Sequence, residues 1–135
     1  MGMRYLLDTN VCIMFLSQRS PLVDQRFMAV PTPDKIVCSV VRAELFYGAY
    51  KSQQPQASLQ KALQFFSLLP TLPFDDVAAR HCGEIRAELA RKGTPIGQYD
   101  FQIAAIALAH NLTVVTHNTR EFSRVPNLLL EDWEI

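Results

Sequence analysis

The chain has 135 residues, of which 49% are hydrophobic and 19% charged; thirteen basic and thirteen acidic side chains give a formal net charge of zero. These values exclude a disordered chain and suit one hydrophobic core, which serves roughly 100–200 residues, so residues 1–135 are read as a single domain. A zero net charge withholds the basic stripe that usually accompanies phosphate binding, although Glu131, Asp132 and Glu134 place three acids in the last five positions and leave the remainder modestly basic.

In chain order, Arg4–Leu7 reads as a buried strand, followed by a helix through Val11–Leu16 that Thr9 or Asn10 is expected to cap. A short helix spans Pro21 to Ala29 and ends before the VPTP turn. Lys35–Cys38 is a second strand, and Ser39 is expected to cap a helix that ends near Gly48–Lys51. Pro55 opens a helix that Pro70 closes. Leu72–Phe74 is a weak third strand, and a long helix runs from Asp75 or Asp76 to Lys92, where Gly93 stops it. Asp100–His110 forms a further helix, with Asn111 suited to its C-terminus. Leu112–Thr116 is the clearest strand, and Leu128–Leu130 is the last. Strands separated by helical crossovers predict an α/β fold, with a mainly parallel sheet of about five strands covered by helices on both faces.

Three cysteines, Cys12, Cys38 and Cys82, without a C-x-x-C pair argue against a disulfide framework or a zinc knuckle and fit a reducing compartment. The apolar stretch from Tyr5 to Leu16 is interrupted by Asp8 and Asn10, too short and polar for a membrane span or a secretory signal. A cytoplasmic location is expected.

In open α/β sheets, sites form outside the carboxyl ends of the strands. Asp8 follows the first strand, Glu44 lies in the helix after the second, Asn118 follows the Leu112–Thr116 strand, and Asp100 begins the helix that leads into it. The plain alternatives are helix capping for Asp8 and Asp100 and an ion pair for Glu44. Thr9 and Asn10 already offer caps, however, and Glu44 shares its helical face with Val40, Val41, Tyr47 and Gly48, where an unpaired charge is costly. Asp100 shares its face with Ile103, Ala104, Ala107 and Leu108. Three converging carboxylates would repel one another and raise at least one pKa. A hard divalent cation, Mg²⁺ or Mn²⁺, relieves that repulsion through oxygen ligands, and such sites activate water against phosphodiesters.

Asn118 could steady an aspartate or a bound water, Glu121 could be an outer ligand, and Thr116 could offer its hydroxyl to a carboxylate or phosphate. His117 could touch substrate, whereas His81 and His110 read as structural. Arg42 and Arg120 are candidates for holding an RNA backbone. Phe65–Phe66 and Leu68–Leu69 read as core or as a contact between copies. Nucleotide-cradling glycine patterns are absent.

The segments LDTN (7–10), AELFYGAYKS (43–52), GTPIGQYDFQIAA (93–105), VVTHNTREF (114–122) and VPNLLLEDW (125–133) together resemble PIN-domain ribonucleases and, more narrowly, the VapC toxins of bacterial toxin–antitoxin pairs. The resemblance implies a compact α/β domain that cleaves RNA with a metal held by acids, whose first three positions match Asp8, Glu44 and Asp100. Family members often carry a fourth acid where this chain has Asn118, with Glu121 three residues on. The IGxYD run is similar to tRNA-cleaving members and implies initiator tRNA cut in its anticodon stem-loop. A homodimer is implied, as is a VapB-type antitoxin that covers the acidic groove with a basic side chain reaching the carboxylates.

The expected reaction has Asp8 and Asp100 as direct ligands and Glu44 as a ligand or water orienter, with water attacking in line to leave a 5′-phosphate and a 3′-hydroxyl. Two other classes fit parts of the pattern. One is a phosphatase with Asp8 as nucleophile, although the second Asp such enzymes usually place two residues on is here Asn10. The other is a non-catalytic PIN-like module that only grips RNA or protein.

Overall fold

Five parallel strands form one sheet in the computed structural model, which describes residues 3–135. The elements in order are β1 (Tyr5–Leu7), α1 (Thr9–Leu16), α2 (Pro21–Ala29), a 3-10 turn (Thr32–Asp34), β2 (Lys35–Cys38), α3 (Ser39–Lys51), α4 (Pro55–Ser67), β3 (Thr71–Leu72), α5 (Asp76–Lys92), α6 (Gln98–His110), β4 (Thr113–Val115), α7 (Thr119–Phe122) and β5 (Leu129–Glu131). The strand order is β3-β2-β1-β4-β5. Leu6 pairs with Ile36 on one side and Val114 on the other, and Leu7 pairs with Val115.

All four residues of β2, all three of β4 and both leucines of β1 are buried. Successive strand residues point to opposite faces, so these unbroken buried runs require cover on both. The polar members of the runs have partners or sit at strand ends. Lys35 donates from Nζ to the Phe27 carbonyl at 2.7 Å, with its ammonium 3.8 Å from the Phe27 ring centre. Burial pulls the Lys35 pKa down.

Most element ends follow local chemistry. Ser20 caps α2 through Val23 N, with Pro21 at the first helical position. Asp75 caps α5 through Ala78 N, and the left-handed positions of Gly93 (φ 70°) and Asn111 (φ 54°) end α5 and α6. Four expectations need correction. Asp8 itself, and not Thr9 or Asn10, is the N-cap of α1. Ser39 is already helical, and Cys38 precedes it without a side-chain cap. Helix α6 begins at Gln98, which puts Asp100 in its first turn, and β3 lies at Thr71–Leu72 because the following Pro73 offers no N–H to extend a ladder.

The chain reverses direction across the sheet between β1 and β4. It runs outward through β2 and β3, then returns past β1 to lay down β4 and β5. A crevice outside the strand ends is expected at this switch point.

Candidate active site at the carboxyl ends of β1 and β4

Asp8 leaves β1 with its backbone N–H bonded to the Val115 carbonyl at 3.0 Å, which fixes it beside β4. It is only 6% exposed. Its Oδ1 accepts from Thr9 N at 2.8 Å and its Oδ2 from the Thr116 hydroxyl at 2.8 Å. The capping bond therefore occupies one carboxylate oxygen, and the second bridges the switch point.

Thr116 is fully buried, and its Oγ1 also accepts from Asn118 N at 3.0 Å. That short turn takes one lone pair of the hydroxyl and leaves its proton for Asp8. Thr9, expected only as a cap, instead bridges two acids, with its N–H on Asp8 and its hydroxyl on Glu44 Oε1 at 3.0 Å. Asn118 Nδ2 donates to Glu121 Oε2 at 2.8 Å and to Asp100 Oδ2 at 3.4 Å. One chain of hydrogen bonds thus runs Glu44–Thr9–Asp8–Thr116–Asn118 and forks to Asp100 and Glu121. Its two threonines stand just past parallel strands, Thr9 at the start of α1 after β1 and Thr116 directly after β4.

The electrostatics match the crowding. Burial raises the Asp8 pKa against the opposing bonds from Thr116 and Thr9. Burial also raises that of Glu44, with the Thr9 bond opposing and the Asp8 charge adding. Asp100 is pushed up to about 6 by burial first, then by the charges of Asp8, Glu121 and Glu44, with only the Asn118 bond opposing. Four acids from separate parts of the chain therefore act on one another. Among the described residues, Glu44 Oε2 and Asp100 Oδ1 have no protein hydrogen-bond donor.

This donor set suits a hard divalent cation. It is all oxygen, it carries excess negative charge, and it keeps carboxylate oxygens open. The acids are not drawn into a tight cage, since Asp8, Glu44 and Asp100 do not bring their oxygens within 4.8 Å of one another; among the described residues that spacing belongs to His117, Asp132 and Glu134. An open set fits Mg²⁺, which retains several waters and takes few protein ligands.

Some candidates lie elsewhere. Glu44 lies at the margin of the buried stripe of α3 (Val40, Val41, Leu45 and Ala49), sharing an open wall with buried Val40, Ala43 and the 66% exposed Tyr47. Arg42 is turned to β3, where Nη1 donates to Thr71 Oγ1 at 3.2 Å and the guanidinium lies 4.7 Å from the Phe66 ring centre. Arg120 is exposed on α7 beside Glu121. His117 Nδ1 is 2.9 Å from Asp132 Oδ2, and that bond with the Glu134 charge raises its pKa. Phe65, Phe66 and Leu69 are core, whereas Leu68 is exposed. The cysteines are free and buried, and burial raises Cys38 to about 11. No helix among the described residues is long and apolar enough to cross a membrane.

The PIN domain family model matches residues 5–128, which include every residue of this network. The chain belongs to the PIN-domain family. Within it, this PIN domain is 44% identical over 131 residues to the tRNA(fMet)-specific endonuclease VapC of Salmonella typhimurium, covering 97% of this chain and 98% of that one. It is 38% identical to the ribonuclease VapC2 of Rickettsia felis, covering 98% and 99%. The crystal structure of DNA-bound VapBC from Salmonella typhimurium superposes with a TM-score of 0.91 at 44% identity, covering 98% of this chain and 99% of that chain. The PIN fold explains the shared edge: β1 and β4 are neighbours in space although more than a hundred residues separate Asp8 from Thr116 in sequence.

The resemblance carried by LDTN, the Glu44 segment, IGQYD and THNTREF is thus borne out at the level of family and fold. Sequence reasoning missed the bridging role of Thr9 and the fastening of His117. The only sequence signal for Thr9 was its place directly after Asp8 at a strand end, where a capping hydroxyl reads equally well.

Proposed function

We propose that the protein is a Mg²⁺-dependent endoribonuclease that hydrolyses phosphodiester bonds in tRNA, acting as the toxin of a VapBC-type pair, with residues 1–135 as one PIN domain. Asp8, Glu44 and Asp100 hold the ion, Glu121 is an outer ligand, and Asn118 steadies Asp100 and Glu121. When bound, the ion neutralises charge on the scissile phosphate and acidifies water. Mn²⁺ satisfies the same oxygen set.

One observation carries this proposal: Asp8, Glu44, Asp100 and Glu121 meet at one sheet edge, where burial first and then the charges of the other three acids push Asp100 up to about 6, with only the Asn118 bond opposing. The chain's own residues prepare the site. Thr9 and Thr116 orient both oxygens of Asp8, and Thr9 leaves Glu44 Oε2 open. The initiator tRNA specificity in the name of the Salmonella relative supports a tRNA substrate, and a tRNA substrate supports a cytoplasmic location. The VapBC complexes among similar structures support an antitoxin partner. A homodimer is part of the proposal, and light scattering on the purified protein tests it.

The decisive experiment incubates the protein with total tRNA and Mg²⁺, with and without EDTA, and maps the cut ends. Cleavage within one anticodon stem-loop, abolished by EDTA and restored by Mg²⁺, is expected. EDTA-resistant cleavage, or intact tRNA under all metal conditions, overturns the assignment.

A further inference from the structure

Beside the carboxylates lies an open cavity of about 750 Å³ between α1, α3 and α6, with Glu44 in its wall. Thr9, Asn10 and Ile13 form one side, Ala43, Glu44 and Tyr47 a second, and Tyr99 and Gln102 a third. Glu44 and Tyr47 are three residues apart on α3, and Tyr99 and Gln102 are three apart on α6, so each pair shares a helical face. Tyr99 directly precedes Asp100. The cavity therefore adjoins the acidic centre through Glu44 on one helix and the neighbour of Asp100 on another.

Two aromatic rings in its walls are largely in solvent, Tyr47 at 66% and Tyr99 at 56% exposure. Large aromatic side chains normally dominate buried packing, so two left largely open in one concavity offer π-faces. That of Tyr99 meets no cation among the described residues, and that of Tyr47 has the Lys51 ammonium 5.5 Å from its ring centre. Amide and hydroxyl groups of Asn10, Gln102 and Ser39 share the lining and supply the mixed donors and acceptors that base edges require. The volume falls within the range of small-molecule sites. No lysine or arginine lines the cavity, so it does not recognise the phosphate backbone. Aromatic faces and amide and hydroxyl edges, with no cation in the lining itself, together describe a receptor for unstacked bases.

We infer that Tyr47 and Tyr99 are stacking platforms that seat unpaired nucleobases flanking the scissile phosphate, and so restrict cleavage to single-stranded RNA loops. This rests on the nuclease reading of the adjacent carboxylates. The tyrosines are positioning residues that act on the bases while the carboxylates act at the phosphate.

The test reads binding apart from cleavage. Full-length protein carrying Asp100→Asn is titrated without divalent cations into a synthetic RNA stem-loop with one 2-aminopurine in the loop, and into the same sequence fully paired. The loop RNA binds, its 2-aminopurine fluorescence is quenched on stacking, and the duplex binds at least about tenfold more weakly. Tyr47→Leu and Tyr99→Leu each weaken loop binding by about tenfold and reduce the quenching, whereas Tyr47→Phe and Tyr99→Phe stay within about threefold because the ring is kept. Tyr50→Leu, an equally exposed tyrosine outside the cavity wall, changes nothing. In the active enzyme the leucine variants raise KM more than they lower kcat.

Leucine variants with parental affinity and quenching overturn the proposal, as do phenylalanine variants as impaired as leucine. If the same leucine variants instead alter the protein's mass by light scattering with RNA binding intact, the cavity wall is a protein–protein contact and stacking is refuted. A parent that quenches loop RNA yet cleaves nothing with any divalent ion refutes the nuclease reading and leaves the stacking surface standing.

Discussion

The Thr116 hydroxyl donates to Asp8 Oδ2 at 2.8 Å, which joins the carboxyl ends of β1 and β4 where the strand order turns back on itself. Both groups are buried, and the same Thr116 oxygen accepts from Asn118 N. The bond sets the direction of one acid and the path of the loop that carries Asn118.

Thr116→Val keeps the side-chain shape but leaves Asp8 Oδ2 and Asn118 N without their partner. A loss of about 1–3 kcal/mol in unfolding free energy is expected, together with reduced nuclease activity, whereas Thr116→Ser keeps most of both. Urea titration beside tRNA cleavage checks the pair; equal behaviour of valine and serine would show that the hydroxyl is idle.

Asp8→Asn and Asp100→Asn should each abolish cleavage while the protein still folds. Because the folded pKa of Asp100 is raised, its effect on stability is favourable below the ordinary aspartate range and is lost as pH rises through about 6. Asp100 is only half-buried, so solvent screening reduces the effect to about 1 kcal/mol. Without metal at pH 8, Asp100→Asn should therefore raise Tm by roughly 2–5 °C, and at pH 4 the gain should vanish. Saturating Mg²⁺ should reverse the order of the two proteins, since it stabilises only the parent.

Metal binding needs ionised acids, so at limiting Mg²⁺ the activity should climb as pH rises through about 6 and fall on acidification. Raising Mg²⁺ should move that inflection to lower pH, because ion and proton compete for the same oxygens. An inflection that does not move with Mg²⁺ would assign the titration to a group outside the cluster.

Asn118→Asp removes the amide donor from Glu121 and Asp100 and adds a further negative charge. The Asp100 pKa should rise again, carrying the activity inflection to higher pH at equal Mg²⁺. Asn118→Ala removes the donor without the charge and should shift it less. The order Asp, Ala, parent in apparent pKa is the expected result.

Arg42 and Arg120 separate by environment. Arg42→Ala should lower Tm through lost packing on Phe66 and the lost Thr71 bond, with little change in RNA affinity. Arg120→Ala should leave Tm unchanged and weaken RNA binding at low salt, with a shallower salt dependence. Affinity measured at several salt concentrations distinguishes them.

The α/β class, the five strands and six of the helices, and the edge that carries Asp8, Glu44, Asp100 and Asn118 follow from sequence because they depend on local rules. Buried β-branched runs, Pro21, Gly93 and Asn111 mark their elements through backbone preferences that act within a few residues. What only the tertiary structure decided is which hydroxyl meets which acid. Thr9 and Ser39 each look like helix caps in sequence; in the folded chain Thr9 bridges Asp8 and Glu44, and Ser39 caps nothing. The raised pKa of Asp100 likewise exists only once the fold buries it beside three distant acids. Such contacts depend on how parallel strands align and helices cross, and no periodicity within one segment encodes them.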